Sequence, residues 1–438
     1  MHEMWFVLYM SPDGRKTSYV SGGVIRCKGV VSIATTNNSF VQDILQKHTI
    51  FKDESVLDVE YTPDSLMHRD KEIGSLALFF RPLLETPGKA SPVALIYSRS
   101  GTGKTSITKT FGGIAADLLK SKGVDLKYVH INCKFVTNMH ALMQQIVRST
   151  TGADVKGLSP DLMFREMYRQ LDANDKYLLL TLDEVDWFIK RTGEDLIEQL
   201  TRYREELSRP KRLAIIFVIR DSNIDTMAEL ERSKLHRTFG ARMLRLQPYT
   251  KEQLVDIIIQ RIQMAFKTDG SVPDDIIDFI ADMTCSVGDA YYAIQILWKA
   301  GKCADNFGMN RIIPEHVRMA KSMTDPKVRS KDLLSLSRDE KVVLQAVANL
   351  LRIESNIYVS LSEIIDEYHV LCETYRCKPA DNQTIKGYLL DLSRIGFVDI
   401  KHANSRLEEA SIHDVPIGIL LEALKTMVAK EHPTSQRR

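Results

Sequence analysis

The stretch PVALIYSRSGTGKT, residues 92–105, joins an apolar run to a loop rich in glycine, serine and threonine. The loop resembles the G-x-x-x-x-G-K-[ST] pattern of phosphate-binding loops, which lie between a strand and a helix. Ser98 stands where the first glycine of that pattern belongs, whereas Gly103, Lys104 and Thr105 agree with it. A chance glycine-rich turn is the alternative, but the strand–loop–helix context favours nucleotide binding.

The residue types of this loop suit a nucleotide phosphate. Glycines let backbone N–H groups point inward around phosphate oxygens without interference from a Cβ atom. Lys104 is expected to reach the β- and γ-phosphates of ATP, and Thr105 to ligate Mg²⁺. The helix that follows directs its positive end at the phosphates. The loop residues expected to contact ATP or ADP are Ser100, Gly101, Thr102, Gly103, Lys104, Thr105 and Ser106.

Acidic residues end a second apolar strand, KYLLLTLDEVD at residues 176–186. An ATPase needs acids at this point, one to hold Mg²⁺ and one to take the proton of the attacking water. We therefore assign Asp183 to the metal and Glu184 to general-base catalysis, with a pair of solvated acids as the alternative. Asn223, after the next apolar strand, is either a sensor of the γ-phosphate or an ordinary turn residue.

The composition is that of a multidomain globular protein. The 438 residues are 44% hydrophobic and 26% charged, and the net charge of +2 gives no overall attraction to nucleic acid. Six scattered cysteines are typical of reduced, intracellular thiols. Because no apolar run is long enough for a membrane span and MWFVLYM at the N-terminus lacks signal-peptide features, we expect a cytoplasmic protein with no membrane partner.

The patterns along the chain predict three folded regions after an N-terminal extension of unclear structure at residues 1–48. Strands alternating with helices over residues 49–246 predict an α/β region with a parallel sheet covered on both faces. Strand patterns then stop, and Thr250 with Gln253 forms a capping box that opens an all-helical region at 247–328. Three helices and a β-hairpin at 329–438 predict a winged helix followed by a tail. Capping boxes at Ser337/Glu340 and Ser360/Glu363 begin two of these helices.

The third helix of the predicted winged helix offers a candidate DNA surface. Ile385, Tyr388, Leu389 and Leu392 recur at helical spacing and predict its buried face. The residues expected to contact double-stranded DNA, on the opposite face and in the wing, are Asn382, Gln383, Lys386, Arg394, Lys401, His402 and Arg406. A solvated face in a protein-binding winged helix is the alternative, because residues 331–438 carry 14 Lys+Arg against 16 Asp+Glu.

The order and spacing of these pieces resemble the AAA+ class, and more narrowly the archaeal replication initiators of the origin-recognition and cell-division-control type. The resemblance runs from about Ile50 to Ile412 and includes YTPDSLMHRDKEI, SGTGKT, LDEVDWF, QPYTKEQLVDII, GDAYYAIQILWKAG and SRDEKVVLQAVANLL. It implies an AAA+ nucleotide-binding domain, an all-helical lid and a winged-helix DNA-binding domain. It also implies that Tyr61 and Arg69 lie beside the base of the nucleotide, with ordinary helix capping and packing as the alternative, and that Tyr249 contacts the nucleotide.

The chain departs from this family at sites that handle ATP. Tyr291, in GDAYYAI, stands where the family has a lid arginine, and a tyrosine supplies no fixed positive charge to the γ-phosphate. Arg237 and Lys234 are the nearest candidates for the arginine finger that the family places between subunits. With Ser98 also altered, we predict tight nucleotide binding and slow hydrolysis, since loss of a transition-state charge typically lowers the rate by about 10²–10³.

The resemblance implies an ATP-switched initiator that docks on origin DNA and helps to recruit the replicative helicase or other replication proteins, with paralogous initiators as further partners. It also implies a helical element that enters the minor groove, for which we predict the tip near GADVKGLS with Lys156. One alternative is a diverged paralogue that regulates transcription with a structural nucleotide. Another is a signalling ATPase whose winged helix contacts protein.

Overall fold

A five-stranded parallel sheet is the central feature of the structure, a computed structural model that describes residues 49–192, 199–202, 210–220, 238–325, 330–352, 356–403 and 406–430. The strands are β1 (Val93–Ser98), β2 (Asp125–Asn132), β3 (Lys176–Asp183), β4 (Leu213–Arg220) and β5 (Met243–Arg245), in the spatial order β2-β3-β4-β1-β5. Every pairing in the sheet is parallel. The predicted α/β class is confirmed, and the three-residue strand β5 adds an edge that the sequence pattern did not reveal.

Helices cover both faces of the sheet, which explains why its strands are continuously apolar. In β1, Val93 and Leu95 contact one core while Ala94 and Ile96 contact the other. The first core is completed by α4 (Met139–Thr151), α5 (Pro160–Ala173) and α6 (Val185–Thr192). The second is completed by α1 (Asp70–Phe79), α2 (Arg81–Glu85) and α3 (Lys104–Ser121). The sheet thus fixes the strand ends from which the candidate site is built.

An all-helical region follows the sheet, as predicted, with the α-helices α7 (Lys251–Ala265), α8 (Asp274–Cys285), α9 (Ala290–Asn306) and α10 (Pro314–Thr324). Thr250 and Gln253 form the expected capping box at the start of α7. The core of this lid also contains Ile50, Phe51 and neighbouring residues from before the sheet. Phe51 lies so close to Gly301 that a side chain there would overlap its ring. The segment at 50–57 therefore packs with the lid, although it precedes the sheet in sequence.

The last region contains the predicted helices and hairpin together with further elements. Its helices are α11 (Ser330–Ser335), α12 (Arg338–Leu351), α13 (Leu361–Thr374), α14 (Asn382–Ile395) and α15 (Ile417–Lys430). Its antiparallel strands β6 (Val359–Ser360), β7 (Asp399–Ala403) and β8 (Arg406–Ser411) lie in the order β6-β8-β7. Both capping boxes form, at Ser337 and Ser360. The winged-helix fold is confirmed, with a third strand and the C-terminal helix α15 added.

The lid and the winged helix share a polar contact around Asp282 at the end of α8. Its carboxylate lies 2.6 Å from Lys251 Nζ and 2.9 Å from Lys401 Nζ, and it accepts a hydrogen bond of 2.9 Å from the Tyr358 hydroxyl. Burial alone raises the pKa of Asp282, but these hydrogen bonds outweigh it and hold the pKa below its usual value. The wing residue Lys401 is thus held against the lid.

His316 in α10 is expected to make the lid sensitive to acid. Its side chain is buried, stacks on Phe307, and accepts a hydrogen bond at Nδ1 from the Ile313 N–H. Burial lowers the pKa of His316 from 6.5 to about 4. The folded protein therefore binds a proton at His316 more weakly than the unfolded chain does. The buried neutral imidazole keeps its full contribution to stability above pH 6.5, and this contribution is lost as the pH falls towards 4.

We expect this histidine to lower the free energy of unfolding by about 2–4 kcal/mol over that pH interval, since one pKa unit is worth about 1.4 kcal/mol. Urea unfolding across the interval measures it. His316→Gln should flatten that part of the profile, whereas His140→Gln, at an exposed site, should leave it unchanged. A profile that keeps its slope in His316→Gln contradicts the assignment.

No helix among the described residues has the length and apolar character needed to cross a membrane.

Candidate nucleotide site

A cavity of about 370 Å³ opens between the carboxyl ends of the parallel strands and the lid. This volume is within the usual range for small-molecule sites. Ten of the predicted nucleotide and metal residues line it: Tyr61, Ser100, Gly101, Gly103, Lys104, Thr105, Ser106, Asp183, Glu184 and Tyr249. The fold thus brings together residues that are up to 188 positions apart, from Tyr61 to Tyr249.

The phosphate loop accommodates Ser98 because this serine is buried and forms a hydrogen bond within the loop. Ser98 is 2% exposed, and its hydroxyl makes a hydrogen bond with the hydroxyl of Thr102, which is itself buried. The Thr102 side chain therefore faces away from the cavity, so only its backbone can serve a phosphate. Gly103 has φ 89°, and a Cβ there would lie 2.9 Å from the Tyr249 hydroxyl. Both the backbone angle and the space require glycine at this position.

Lys104, the first residue of α3, points back into the loop. Its Nζ donates hydrogen bonds to the carbonyl oxygens of Ser98 at 2.9 Å and Arg99 at 2.5 Å. Burial lowers the pKa of Lys104 from 10.5 to about 8, although Asp183 partly offsets the effect. The ammonium thus lacks a full counter-charge at the place where a phosphate would supply one.

Thr105 and Asp183, the two predicted metal ligands, are in direct contact. The Thr105 hydroxyl donates a hydrogen bond of 2.6 Å to Asp183 Oδ2, and His130 Nε2 lies 3.3 Å from the same oxygen. Burial alone raises the pKa of Asp183, but the hydrogen bonds from His130 and Thr105 outweigh it and lower the pKa. Asp183 is therefore a carboxylate at neutral pH. A hydroxyl and one carboxylate, completed by phosphate oxygens and water, fit the way proteins hold Mg²⁺.

Glu184 lines the cavity, and its carboxylate is paired with an arginine. Its Oε1 lies 2.5 Å from Nη2 of Arg220, the last residue of β4, and its Oε2 is buried without a hydrogen-bond partner. The backbone of Glu184 has φ 53°, a left-handed conformation that is uncommon for a residue with a side chain. Arg220 also lines the cavity. The predicted general base is therefore held by a cation.

The lid closes the cavity at the start of α9. Asp289 caps this helix by accepting a hydrogen bond of 2.8 Å from the Tyr292 N–H, and the Ala290 N–H donates to the Gly101 carbonyl at 3.2 Å. A Cβ at Gly101 would overlap the Asp289 carboxylate, so this glycine allows the lid to touch the phosphate loop. Burial raises the pKa of Asp289. Tyr291 lines the cavity beside it.

The end of the cavity away from the phosphate loop is more apolar and includes Tyr61. The guanidinium of Arg261 lies 4.8 Å from the centroid of the Tyr61 ring, and its Nη1 donates to the Val56 carbonyl at 3.2 Å. Arg261 is mostly buried, and its Nε has no hydrogen-bond partner. Leu66 and Ile257 also line this end. A flat base would find an aromatic ring and an arginine here.

Arg69 is buried against the phosphate loop and Tyr249. It is 3% exposed, does not line the cavity, and donates hydrogen bonds of 2.9 Å to the carbonyls of Thr102 and Gln247 and to the Tyr249 hydroxyl. With its donors used in this way, Arg69 braces the phosphate loop and Tyr249 from behind. Its predicted place beside the base of the nucleotide stays a prediction.

The predicted DNA-contacting helix α14 has the expected two faces. Ile385, Leu389 and Leu392 are buried, and the hydroxyl of the half-buried Tyr388 donates to Asp339. Four predicted DNA residues are exposed on α14: Asn382, Gln383, Lys386 and Arg394. Arg394 is paired with Asp391 at 2.8 Å. On the wing, Lys401 is turned to Asp282 and lies 3.6 Å from the centroid of the Tyr358 ring. The predicted contact of Lys401 with DNA stays a prediction.

Several predicted residues lie outside the described part of the chain, namely the extension at 1–48, Asn223, and the finger candidates Lys234 and Arg237. The side chains of His402 and Arg406 also lie outside it. Lys156 is described and exposed, and it pairs with Asp154 at 3.3 Å. These assignments remain predictions.

Among the residues that line or touch the cavity, the sequence analysis did not assign Arg220, Arg261 or Asp289. A signal was present for Arg220, since it ends an apolar strand in the same sheet as Asp183. Asp289 precedes Tyr291 in the GDAYYAI stretch, where we considered only the tyrosine. Arg261 lies on an amphipathic helix, and no local pattern distinguishes it from a surface arginine.

Family models match three consecutive parts of the chain. A model of an AAA domain matches residues 89–227, a Cdc6 AAA+ ATPase-type lid domain matches 255–322, and a CDC6 C-terminal winged helix domain matches 331–415. Among curated proteins, an ORC1-type DNA replication protein 2 of Sulfurisphaera tokodaii is 29% identical over 83% of this chain and 88% of its own length. An ORC1-type DNA replication protein of Thermococcus kodakarensis is 26% identical over 83% and 87%.

Solved structures with similar folds agree with these matches. The crystal structure of Cdc6p from Pyrobaculum aerophilum has a TM-score of 0.75 at 26% identity, and covers 87% of this chain and all of that one. The Aeropyrum pernix ORC1 protein, solved in complex with DNA, has a TM-score of 0.56 at 25% identity and covers 88% of this chain. The similarity therefore extends through the sheet, the lid and the winged helix.

Proposed function

Since the chain belongs to the Cdc6/ORC1-type family of AAA+ proteins, we propose that it is a DNA replication initiator controlled by ATP and ADP. The observation that carries the proposal is the cavity in which Lys104, Thr105, Asp183 and Glu184 converge under the lid. A nucleotide there would contact both the sheet and the lid. The winged helix is attached to the same lid, so nucleotide and DNA sites share one connecting element.

The residues of the cavity support hydrolysis of the γ-phosphate. Water would attack the γ-phosphorus, and the bond from that phosphorus to the β–γ bridging oxygen would break to leave ADP and phosphate. Glu184 would take the proton of the attacking water, while Lys104 would hold the phosphate oxygens. Mg²⁺, held through Thr105 and Asp183, would neutralise charge on the phosphates.

Hydrolysis is proposed to be slow, so that the nucleotide acts as a switch. The carboxylate of Glu184 is engaged by Arg220 and must be released before it can accept a proton. Tyr291, at the lid position facing the cavity, supplies no fixed positive charge. Both features lower the rate of the chemical step without preventing binding.

The exposed polar face of α14 is the proposed contact with double-stranded origin DNA. Recruitment of the replicative helicase or other replication proteins, assembly with paralogous initiators, and a place in the cytoplasm are proposed on the family relationship alone. A signalling ATPase whose winged helix contacts protein is the second candidate. The pairing of Lys401 with Asp282 favours it, because a wing turned to the lid leaves a smaller DNA surface.

Lys386→Ala is expected to weaken DNA binding with little dependence on sequence. Loss of one phosphate contact should reduce the slope of log affinity against log salt by about one. Fluorescence anisotropy with a duplex at several salt concentrations, with ATP or ADP present, measures both effects. Lys425→Ala, an exposed lysine on α15, is the matched control. An affinity that does not depend on salt, or an equal effect of both variants, would contradict the proposed DNA face.

A further inference from the structure

Arg220 occupies a position in the nucleotide cavity to which the sequence patterns assign no role. It pairs in register with Ser98, so it ends β4 directly beside the start of the phosphate loop. Its backbone N–H donates a hydrogen bond of 3.1 Å to Asp186, and its guanidinium contacts Glu184. Anchored at its backbone, Arg220 presents a guanidinium beside the phosphate end of the cavity.

The partner of Arg220 is held in a conformation that needs an explanation. Glu184 combines a left-handed backbone with one carboxylate oxygen bound to Arg220 and the other buried without a partner. Uncommon backbone conformations of this kind persist where the surrounding structure requires them, and they cluster at functional sites. A carboxylate that is satisfied on only one side is poised to exchange its partner.

The cations of the cavity divide between its two ends. Among the described cations that line the cavity, Lys104 and Arg220 adjoin the phosphate loop, and Arg261 lies beside Tyr61 at the other end. Lys134 is the fourth. Lys134 is exposed, and its Nζ lies 5.7 Å from the ring centroid of Phe135 and 5.8 Å from that of Trp187. Tyr291 contributes no charge. Arg220 is therefore the described guanidinium at the phosphate end.

We propose that the γ-phosphate of ATP draws the guanidinium of Arg220 away from Glu184. Arg220 then distinguishes ATP from ADP, and its departure releases the Glu184 carboxylate to accept the proton of water. Phosphate competes well with carboxylate for arginine, because both present paired oxygens to the planar guanidinium. ADP lacks the third phosphate and leaves the Arg220–Glu184 pair intact. This inference rests on the proposed nucleotide function of the cavity.

Arg220→Gln tests the inference through binding rather than turnover. We expect its affinity for ATP, or for a non-hydrolysable ATP analogue, to fall roughly 10- to 100-fold by calorimetry, with ADP affinity unchanged within about twofold. Arg220→Lys keeps the positive charge and should recover part of the ATP preference. Arg245→Gln, an exposed arginine on β5 of the same sheet that does not line the cavity, should bind both nucleotides as the wild type does.

The outcomes separate this inference from the proposed function. If the wild type binds neither ATP nor ADP, the proposed function fails. If it binds both and Arg220→Gln alters them equally or not at all, Arg220 is a structural residue and only the inference fails. If Arg220→Gln does not fold, Arg220→Lys serves as the test. Equal losses of ATP and ADP affinity in Arg220→Lys would overturn the inference.

Crystal structures of the wild-type chain provide a direct second readout. With ADP, the Arg220 guanidinium should remain within hydrogen-bond distance of Glu184. With the non-hydrolysable ATP analogue, it should lie on the γ-phosphate. An Arg220–Glu184 pair that is identical in the two complexes would overturn the inference.

Discussion

Lys104→Ala will weaken the binding of both ATP and ADP by about 100-fold or more. The side chain lies at the start of α3, and its ammonium is buried against carbonyl oxygens that cannot neutralise it. A phosphate group supplies the missing negative charge, and a charged hydrogen bond of this kind contributes up to about 3 kcal/mol, with further Coulomb attraction from the other phosphate oxygens. Calorimetry on nucleotide-free protein measures the loss.

Two matched variants show whether the loss is specific. Lys120→Ala removes an exposed lysine from the last turn of the same helix and should bind nucleotide normally. Glu184→Gln should bind ATP yet lower its turnover by about 10²-fold or more, because it removes the proposed base. Wild-type turnover itself should stay below about 1 s⁻¹, the low end of typical enzymes. Near-normal ATP affinity in Lys104→Ala would remove the basis of the nucleotide proposal.

The sequence predicted those parts of the site that depend on local patterns. Gly103, Lys104 and Thr105 follow one strand, and Asp183 and Glu184 follow another. Because the carboxyl ends of parallel strands meet at one edge of the sheet, recognising the strands was enough to place these residues together. The helix starts were equally local, since a capping box involves side chains only three residues apart.

Contacts between distant segments could not be predicted in this way. Arg69 and Tyr61 lie in one short stretch, yet Arg69 is buried behind the phosphate loop while Tyr61 lines the cavity. Asp289 reaches the phosphate loop only because the lid folds over the sheet and Gly101 leaves space for it. Lys401 has the charge of a DNA contact, but Asp282 and Tyr358 of distant segments determine where it points. Each of these outcomes is set by tertiary packing.

Arg318→Ala will destabilise the protein by about 3–5 kcal/mol, the range found when one member of a buried charged network is removed. Arg318, in α10 of the lid, is 1% exposed and donates hydrogen bonds to the carbonyls of Ile412 at 2.8 Å and Asn356 at 3.3 Å, both in the winged-helix region. Glu315, one turn earlier, lies 3.7 Å from its guanidinium and accepts a bond of 2.9 Å from the Ile417 N–H. Alanine would leave the buried Ile412 carbonyl, the part-buried Asn356 carbonyl and the half-buried Glu315 carboxylate without this partner.

Urea unfolding of the full chain measures this loss, and Arg311→Ala, an exposed arginine on the segment that enters α10, should change stability by no more than about 0.5 kcal/mol. The burial of Arg318 lowers its pKa to about 10, although Glu315 partly offsets the effect, so Arg318 remains charged at neutral pH. Its hydrogen bonds to the two carbonyls join the lid to the winged helix. A loss below about 1 kcal/mol would mean that water replaces those bonds easily. The winged helix would then be only loosely attached to the lid, and a nucleotide under the lid would have no firm connection through which to influence the DNA face of α14.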